Sequence, residues 1–187
     1  MSNSRLAESL KTINASRESR INMASGFIQH PEQLPELLHI AFLDESPISS
    51  KAAWVLDMVM REKLELLLPH LDYFCQHLGK VKLDGVIRPV ARICEMLVLA
   101  CLHSKEPSQF QRISNEHLEA IATACFDWLI SEQKVAPKAY AMTSLFYLGH
   151  RFPWIHDELR QVLEQNYAGG SAGYQARARQ VLRKLNT

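Results

Sequence analysis

Histidine, cysteine, serine and paired carboxylates are the side chains from which a metal or nucleophilic site would be built. Cys75, Cys94, Cys101 and Cys125 lie in apolar helical patterns without Cys-x-x-Cys spacing. A zinc site takes closer pairs or adjacent His partners. His70 and His77 flank Cys75 but stand seven residues apart. The expectation is four buried thiols and no metal. No His-Glu-x-x-His occurs; Glu116–His117 and His156–Asp157–Glu158 are fragments of that pattern. Gly79–Lys80 lacks the upstream glycine and the following Ser or Thr of a phosphate loop. No Gly-x-Ser-x-Gly elbow is read that would support a Ser or Cys nucleophile. With no lyase, hydrolase, nucleotide or metal motif read, the expectation leans to a chain without catalytic residues, cofactor or metal.

The polar residues with a usable pattern are those repeated at three- and four-residue spacing. Lys51, Trp54, Asp57 and Arg61 form one set, Arg88, Arg92 and Glu95 another, and Lys138 leads a third. Such spacing makes a stripe on one face of a helix. Arg and Trp are favoured in binding hot spots because they offer large, rigid contact. If neighbouring repeats stack in register, Trp54 and Asp57 share a groove with Arg92 and Glu95. The expected binding residues are Lys51, Trp54, Asp57, Arg88, Arg92, Glu95 and Lys138. An aromatic beside opposite charges, without a Gly-rich loop, suits a peptide better than a metabolite. A structural role competes: Glu45 precedes Lys51 by six residues and Glu132 precedes Lys138 by six, so acid and base can form a ladder between repeats. Trp128 and Trp154 fall on first helices and read as packing residues.

These side chains need elements to hold them. Leu34, Leu37, Leu38 and Ala41 fall at i, i+3, i+4 and i+7, as do Leu118, Ile121, Ala122 and Cys125. That period is helical, and no alternating run or Asn-Gly hairpin signal interrupts it. Helices are expected over 3–13, 16–29, 32–44, 48–60, 63–78, 84–103, 114–131, 135–149, 153–167 and 171–185, with 104–113 as the one long loop. Pro89, Pro137 and Pro153 are expected in first helical turns. Pro35 and Pro69, in QLPELL and LLLPHL, are expected to kink first helices.

Self-similarity follows. RESRIN, KAAWVL, RPVARI, KAYAMT and RARQVL each open with a base, at Arg17, Lys51, Arg88, Lys138 and Arg177. The gaps are 34, 37, 50 and 39 residues, the long one containing the 104–113 loop. Helix pairs at such a period cannot bury their faces alone and must stack. The predicted fold is all-α: a right-handed α-α superhelix of four to five helical pairs, forming one domain over 1–187.

LPELLHIAFLDESPISSKAAWVL (34–56) resembles a HEAT repeat, with Pro in the first helix, acid in the turn and base opening the second helix. LLPHLDYF…GVIRPVARI (67–93) is a looser match, and QKVAPKAYAMTSL (133–145) and GYQARARQVL (173–182) match in the second helix alone. The resemblance covers about four-fifths of the chain and implies a HEAT/armadillo-like solenoid. SSKAAWVLD, VIRPVARICE, CFDWLI, VAPKAYAMTSL and FPWIHDEL are similar to short bacterial proteins often catalogued as adenylosuccinate lyases. That lyase superfamily carries a Ser-Ser-x-Met-Pro-x-Lys-x-Asn loop; no Met-Pro pair occurs here, and none of its functional residues carries over.

Composition bounds the partner. The chain has 187 residues, 47% hydrophobic and 22% charged, with net charge +1. Residues 31–167 sum to −5, while 1–30 carry +2 and 168–187 carry +4. An acidic body disfavours a nucleic-acid binder such as a HEAT-like DNA glycosylase, which needs clustered bases. No stretch of about 18 apolar residues marks a membrane span, and the polar start lacks a secretory layout, so a cytoplasmic location is expected. The predicted function is a non-enzymatic scaffold, monomeric or weakly homodimeric, that binds a protein or peptide in its groove.

Overall fold

The computed structural model describes residues 5–14, 16–103 and 109–186. Every regular element among them is helical: α1 (Arg5–Lys11), α2 (Arg17–Gln29), α3 (Leu34–Phe42), α4 (Ile48–Glu62), α5 (Leu71–His77), α6 (Asp84–Leu102), α7 (Asn115–Ile130), α8 (Val135–Leu148), α9 (Trp154–Tyr167) and α10 (Ala172–Leu185). The protein is all-α. Of the expected 104–113 loop, 104–108 lie outside the described residues, and Gln109–Arg112 forms a 3-10 turn. Residues 3 and 4 of the first expected helix also lie outside them. Contacts divide the chain into two compact units, Met1–Ile93 and Cys94–Thr187.

In the first unit α1, α2 and α3 all pack on α4. The apolar period explains why. Leu34, Leu37, Leu38 and Ala41 of α3 and Ala52, Ala53, Val55, Leu56 and Val59 of α4 are fully or almost fully buried. Each buried Leu or Val contributes about 1.5–3 kcal/mol. Small Ala52 and Ala53 let backbones approach. Ser49 is buried where α3 ends: its Oγ donates to Ile40 O (2.6 Å) and accepts from the Glu45 N–H (3.0 Å). Phe42 meets Phe74 edge-on (centroids 5.6 Å) and Tyr73 likewise (6.2 Å), joining α3 to α5.

The prolines act differently from the expectation. Pro35 lies in the opening turn of α3, where its missing N–H breaks no helical bond. Pro69 lies within a 3-10 stretch, Leu64–His70, and the regular helix begins only at Leu71. The expected 63–78 helix is thus divided, because Pro cannot donate to the preceding turn. Pro89 sits inside α6 rather than in its first turn.

Between α3 and α4 the chain turns through Asp44, whose φ of 58° is left-handed. Asp and Asn tolerate that region better than most residues. Its carboxylate accepts from the backbone N–H groups of Lys82 (3.1 Å) and Leu83 (3.0 Å), immediately before α6. The negative charge also suits the positive end of a helix dipole.

In the second unit α8 takes the central place, contacted by α7, α9 and α10. Leu118, Ile121, Ala122, Cys125 and Trp128 of α7 are buried, as are Leu145 and Leu148 of α8. Ser114 caps α7, and His117 completes the capping box in place of the usual Glu or Gln. At the end of α8, Gly149 leaves no room for a side chain: a Cβ there would fall 1.8 Å from Cδ2 of His156. The His156 ring is held by Nε2 at 2.8 Å from Phe146 O. Trp154 departs from its expected packing role. It is 54% exposed and stacks on Phe126 at 6.1 Å.

Within each unit, helices that the sequence places second in its expected pairs touch, α2 against α4 and α8 against α10. The stripes that the sequence places on those helices can therefore meet their neighbours.

Candidate functional site

The polar stripe of α4 is the starting point. Lys51, Trp54, Asp57 and Arg61 recur at three- and four-residue spacing along it, so they share one face. Each has found a partner from another turn or helix. Lys51 Nζ donates to Lys11 O (2.6 Å) at the end of α1. The Arg20 guanidinium of α2 lies 5.8 Å from the centroid of the half-buried Trp54 ring. That distance is within reach of a cation–π attraction.

Asp57 is the centre of the cluster. It is 6% exposed. Arg61 Nη2 donates to its Oδ2 (2.7 Å) and Arg61 Nε to its Oδ1 (3.3 Å), a two-pronged contact within α4. Arg92 Nη1 of α6 reaches the same Oδ2 at 3.4 Å. Burial pushes the Asp57 carboxyl up to about 6, against the lowering pull of Arg92, Arg20 and Arg88. Desolvation disfavours the carboxylate and guanidinium groups favour it; here the first effect is the larger. Helices α2, α4 and α6 thus place four guanidinium groups around one carboxylate, beside an indole ring.

The expected residues are partly brought together. Trp54, Asp57 and Arg92 meet, and the exposed Arg88 lies near enough to act on Asp57. Lys51 stands on the same face but caps α1. Glu95 follows Arg92 by one turn on α6, yet falls in the second unit, where it acts on buried Cys125. Lys138 is also in the second unit, with Nζ 5.8 Å from the Tyr174 ring centroid. The expected ladder is replaced: Lys51 takes a helix-end carbonyl and Lys138 an aromatic face, while Glu45 and Glu132 are exposed. Arg20 is a site residue that the reading of the sequence missed. Its signal was the repeat itself, since Arg20 follows Arg17 by three residues as Trp54 follows Lys51.

A second spacing was also missed. Gly169–Gly170–Ser171–Ala172–Gly173 has the form Gly-x-Ser-x-Gly. It joins helix to helix here, and Ser171 Oγ accepts from the Tyr174 N–H as the cap of α10. That geometry is a helix start and not a nucleophile elbow.

None of the four cysteines is in a disulfide; Cys75, Cys94 and Cys125 are buried and Cys101 is half-buried. Burial pushes the Cys75 and Cys125 thiols up to about 12. Among the described residues no group of three or more His, Cys, Asp and Glu side chains is arranged to hold a metal ion. No described helix is long and apolar enough to cross a membrane.

No protein-family model, no curated protein and no solved structure matches this chain. The arginine cluster must therefore carry the functional argument by its own chemistry.

Proposed function

We propose that the chain is a HEAT-like interaction module, and that the face formed by α2, α4 and α6 takes an acidic peptide segment of a partner protein. The observation that carries this is the convergence of Arg20, Arg61, Arg88 and Arg92 on the single carboxylate of Asp57, next to Trp54. Guanidinium groups bind carboxylates through planar, two-pronged hydrogen bonds, and an indole adds a large rigid contact. The contacts of α2 with α4 and of α8 with α10, the basic residue in the first two turns of α2, α4, α6, α8 and α10 and the HEAT-like repeats of the sequence support a superhelical stack that presents such a face. The negative balance of residues 31–167 disfavours a polyanion such as DNA, which needs charge over a long track.

A photo-crosslinking residue at position 88 tests this, with the exposed position 36 on α3 as control. In the native cell position 88 captures a protein, and mapping of the adduct places it on a segment rich in Asp or Glu. Nucleic-acid adducts at 88, or protein adducts at 36 with none at 88, would overturn the reading. Fumarate release from adenylosuccinate by the purified chain would replace it with the lyase reading.

A further inference from the structure

We propose that copies of this chain associate through a repeating contact, in which Trp154 of one copy enters the groove between α9 and α10 of the next. Both halves of the contact lie in the second unit, and neither belongs to the arginine face.

The first half is an apolar projection with an acidic rim. Trp154, the first residue of α9, is 54% exposed, yet its ring is supported from below by Phe126 of α7 (centroids 6.1 Å, 22° between planes). Ile130 stands one turn beyond Phe126 on α7 and is 63% exposed. Apolar side chains gathered at the surface within a polar rim mark a contact site. The rim here is acidic: Asp127 follows Phe126, and Asp157 and Glu158 stand one turn past Trp154, all three exposed. None of the three is ion-paired among the described residues.

The second half is a groove with a basic rim. Its volume is about 400 Å³, and it is lined by Glu164, Tyr167, Arg179, Leu182, Arg183 and Asn186. That is room for one large aromatic side chain. Tyr167 and Leu182 supply the apolar surface. The Arg179 guanidinium is fixed there, because its Nε and Nη2 both donate to Tyr167 Oη (3.1 and 2.9 Å). An indole entering the groove meets that guanidinium by a cation–π contact. Asp157 and Glu158, one turn along α9, then approach the bases of the rim. Glu164 is the one acid of the lining, and residues 168–187 carry +4 with no acid.

The occupant follows from finding both complementary halves on one chain. Trp154 and Tyr167 are the two ends of α9, which has 14 residues, so the halves lie about 20 Å apart along its axis. The indole therefore cannot fill its own groove. A contact between two different patches is heterologous, and it repeats from copy to copy instead of closing as a symmetric pair.

The test is sedimentation of the full chain from micromolar to millimolar concentration. The mean mass is expected to rise above the 21.3 kDa of one chain without a plateau at two copies. Trp154→Glu and Arg179→Glu, both at exposed positions, are each expected to stay monomeric with the wild-type helix signal in circular dichroism. Mixed in equal amounts, they are expected to form a one-to-one pair, since one variant keeps an intact groove and the other an intact indole. Gln180→Glu puts a carboxylate on the exposed side of α10 outside the groove lining, and it is expected to associate as the wild type does. A wild-type chain that stays monomeric throughout, a plateau at two copies, a mixture that fails to pair, or loss of association in Gln180→Glu would each overturn the proposal.

Discussion

The ammonium group of Lys51 donates to the main-chain carbonyl of Lys11 over 2.6 Å, which ties α4 to the last residue of α1. A cation there satisfies a carbonyl that the helix end leaves without an internal partner and sits at the negative pole of the dipole. Lys51→Ala is expected to cost about 1 kcal/mol, a fall in melting temperature of about 2–4 °C for a chain of this size. Glu45→Gln is expected to change stability by less than about 0.5 kcal/mol, since Glu45 is exposed. Thermal melts of the two variants distinguish a helix cap from an acid–base ladder, which would make both costly.

Asp57 gives stability a dependence on pH. Its folded value of about 6 lies above the usual 3.8. Between about pH 6 and pH 4 the folded chain holds the proton and the unfolded chain releases it. This group therefore favours folding increasingly as pH falls through that window, by up to about 3 kcal/mol in all. In Asp57→Asn that part of the slope is lost. Urea unfolding at pH 4, 5, 6 and 7 for both proteins measures the difference, and identical slopes would show that the carboxyl titrates normally.

Gly149 and Gly26 make a paired test of packing. A Cβ at 149 collides with the His156 ring, which must leave its bond to Phe146 O. Gly149→Ala is expected to destabilise by about 1–3 kcal/mol. Gly26 lies inside α2 with open space around it, so Gly26→Ala is expected to stabilise by about 0.5–1 kcal/mol. Denaturant midpoints of the two variants should move in opposite directions.

Thiol chemistry should separate the cysteines. Cys101 is the only one of the four that is not buried, and reactivity needs an accessible thiolate. Under native conditions an aromatic disulfide reagent is expected to modify Cys101 first, with Cys75, Cys94 and Cys125 reacting only after unfolding. Peptide mapping after partial labelling checks the order; early modification of Cys125 would contradict its burial.

Much of the helical plan was legible because periodicity reports burial directly. Leu34, Leu37, Leu38 and Ala41, chosen by spacing alone, are all buried, and so are Leu118, Ile121, Ala122 and Cys125. Spacing says little about which partner a polar residue will choose. Lys51 and Glu45 stand at a plausible separation, but the nearer need was a carbonyl at the end of α1. Pro69 misled because a proline can end one helical stretch before a new helix begins as well as bend a single helix. The Asp57 cluster was half legible: the stripe on α4 follows from spacing, whereas Arg20 joins it only through the approach of α2.

Asp44 has a consequence for how the chain can be cut. Its carboxylate and the amides of Lys82 and Leu83 that it serves are 38 and 39 residues apart. During synthesis the acceptor emerges first and waits for its donors. The start of α6 is therefore completed by a part of the molecule made earlier. A peptide beginning at residue 71 would carry α6 without that acceptor, and its first turn would fray. Two fragments divided between 44 and 82 would have to reassociate to restore it. Circular permutants opened in that interval keep both partners but must find each other across new termini, which makes the Asp44 carboxylate a marker of whether a rearranged chain has reached its native topology.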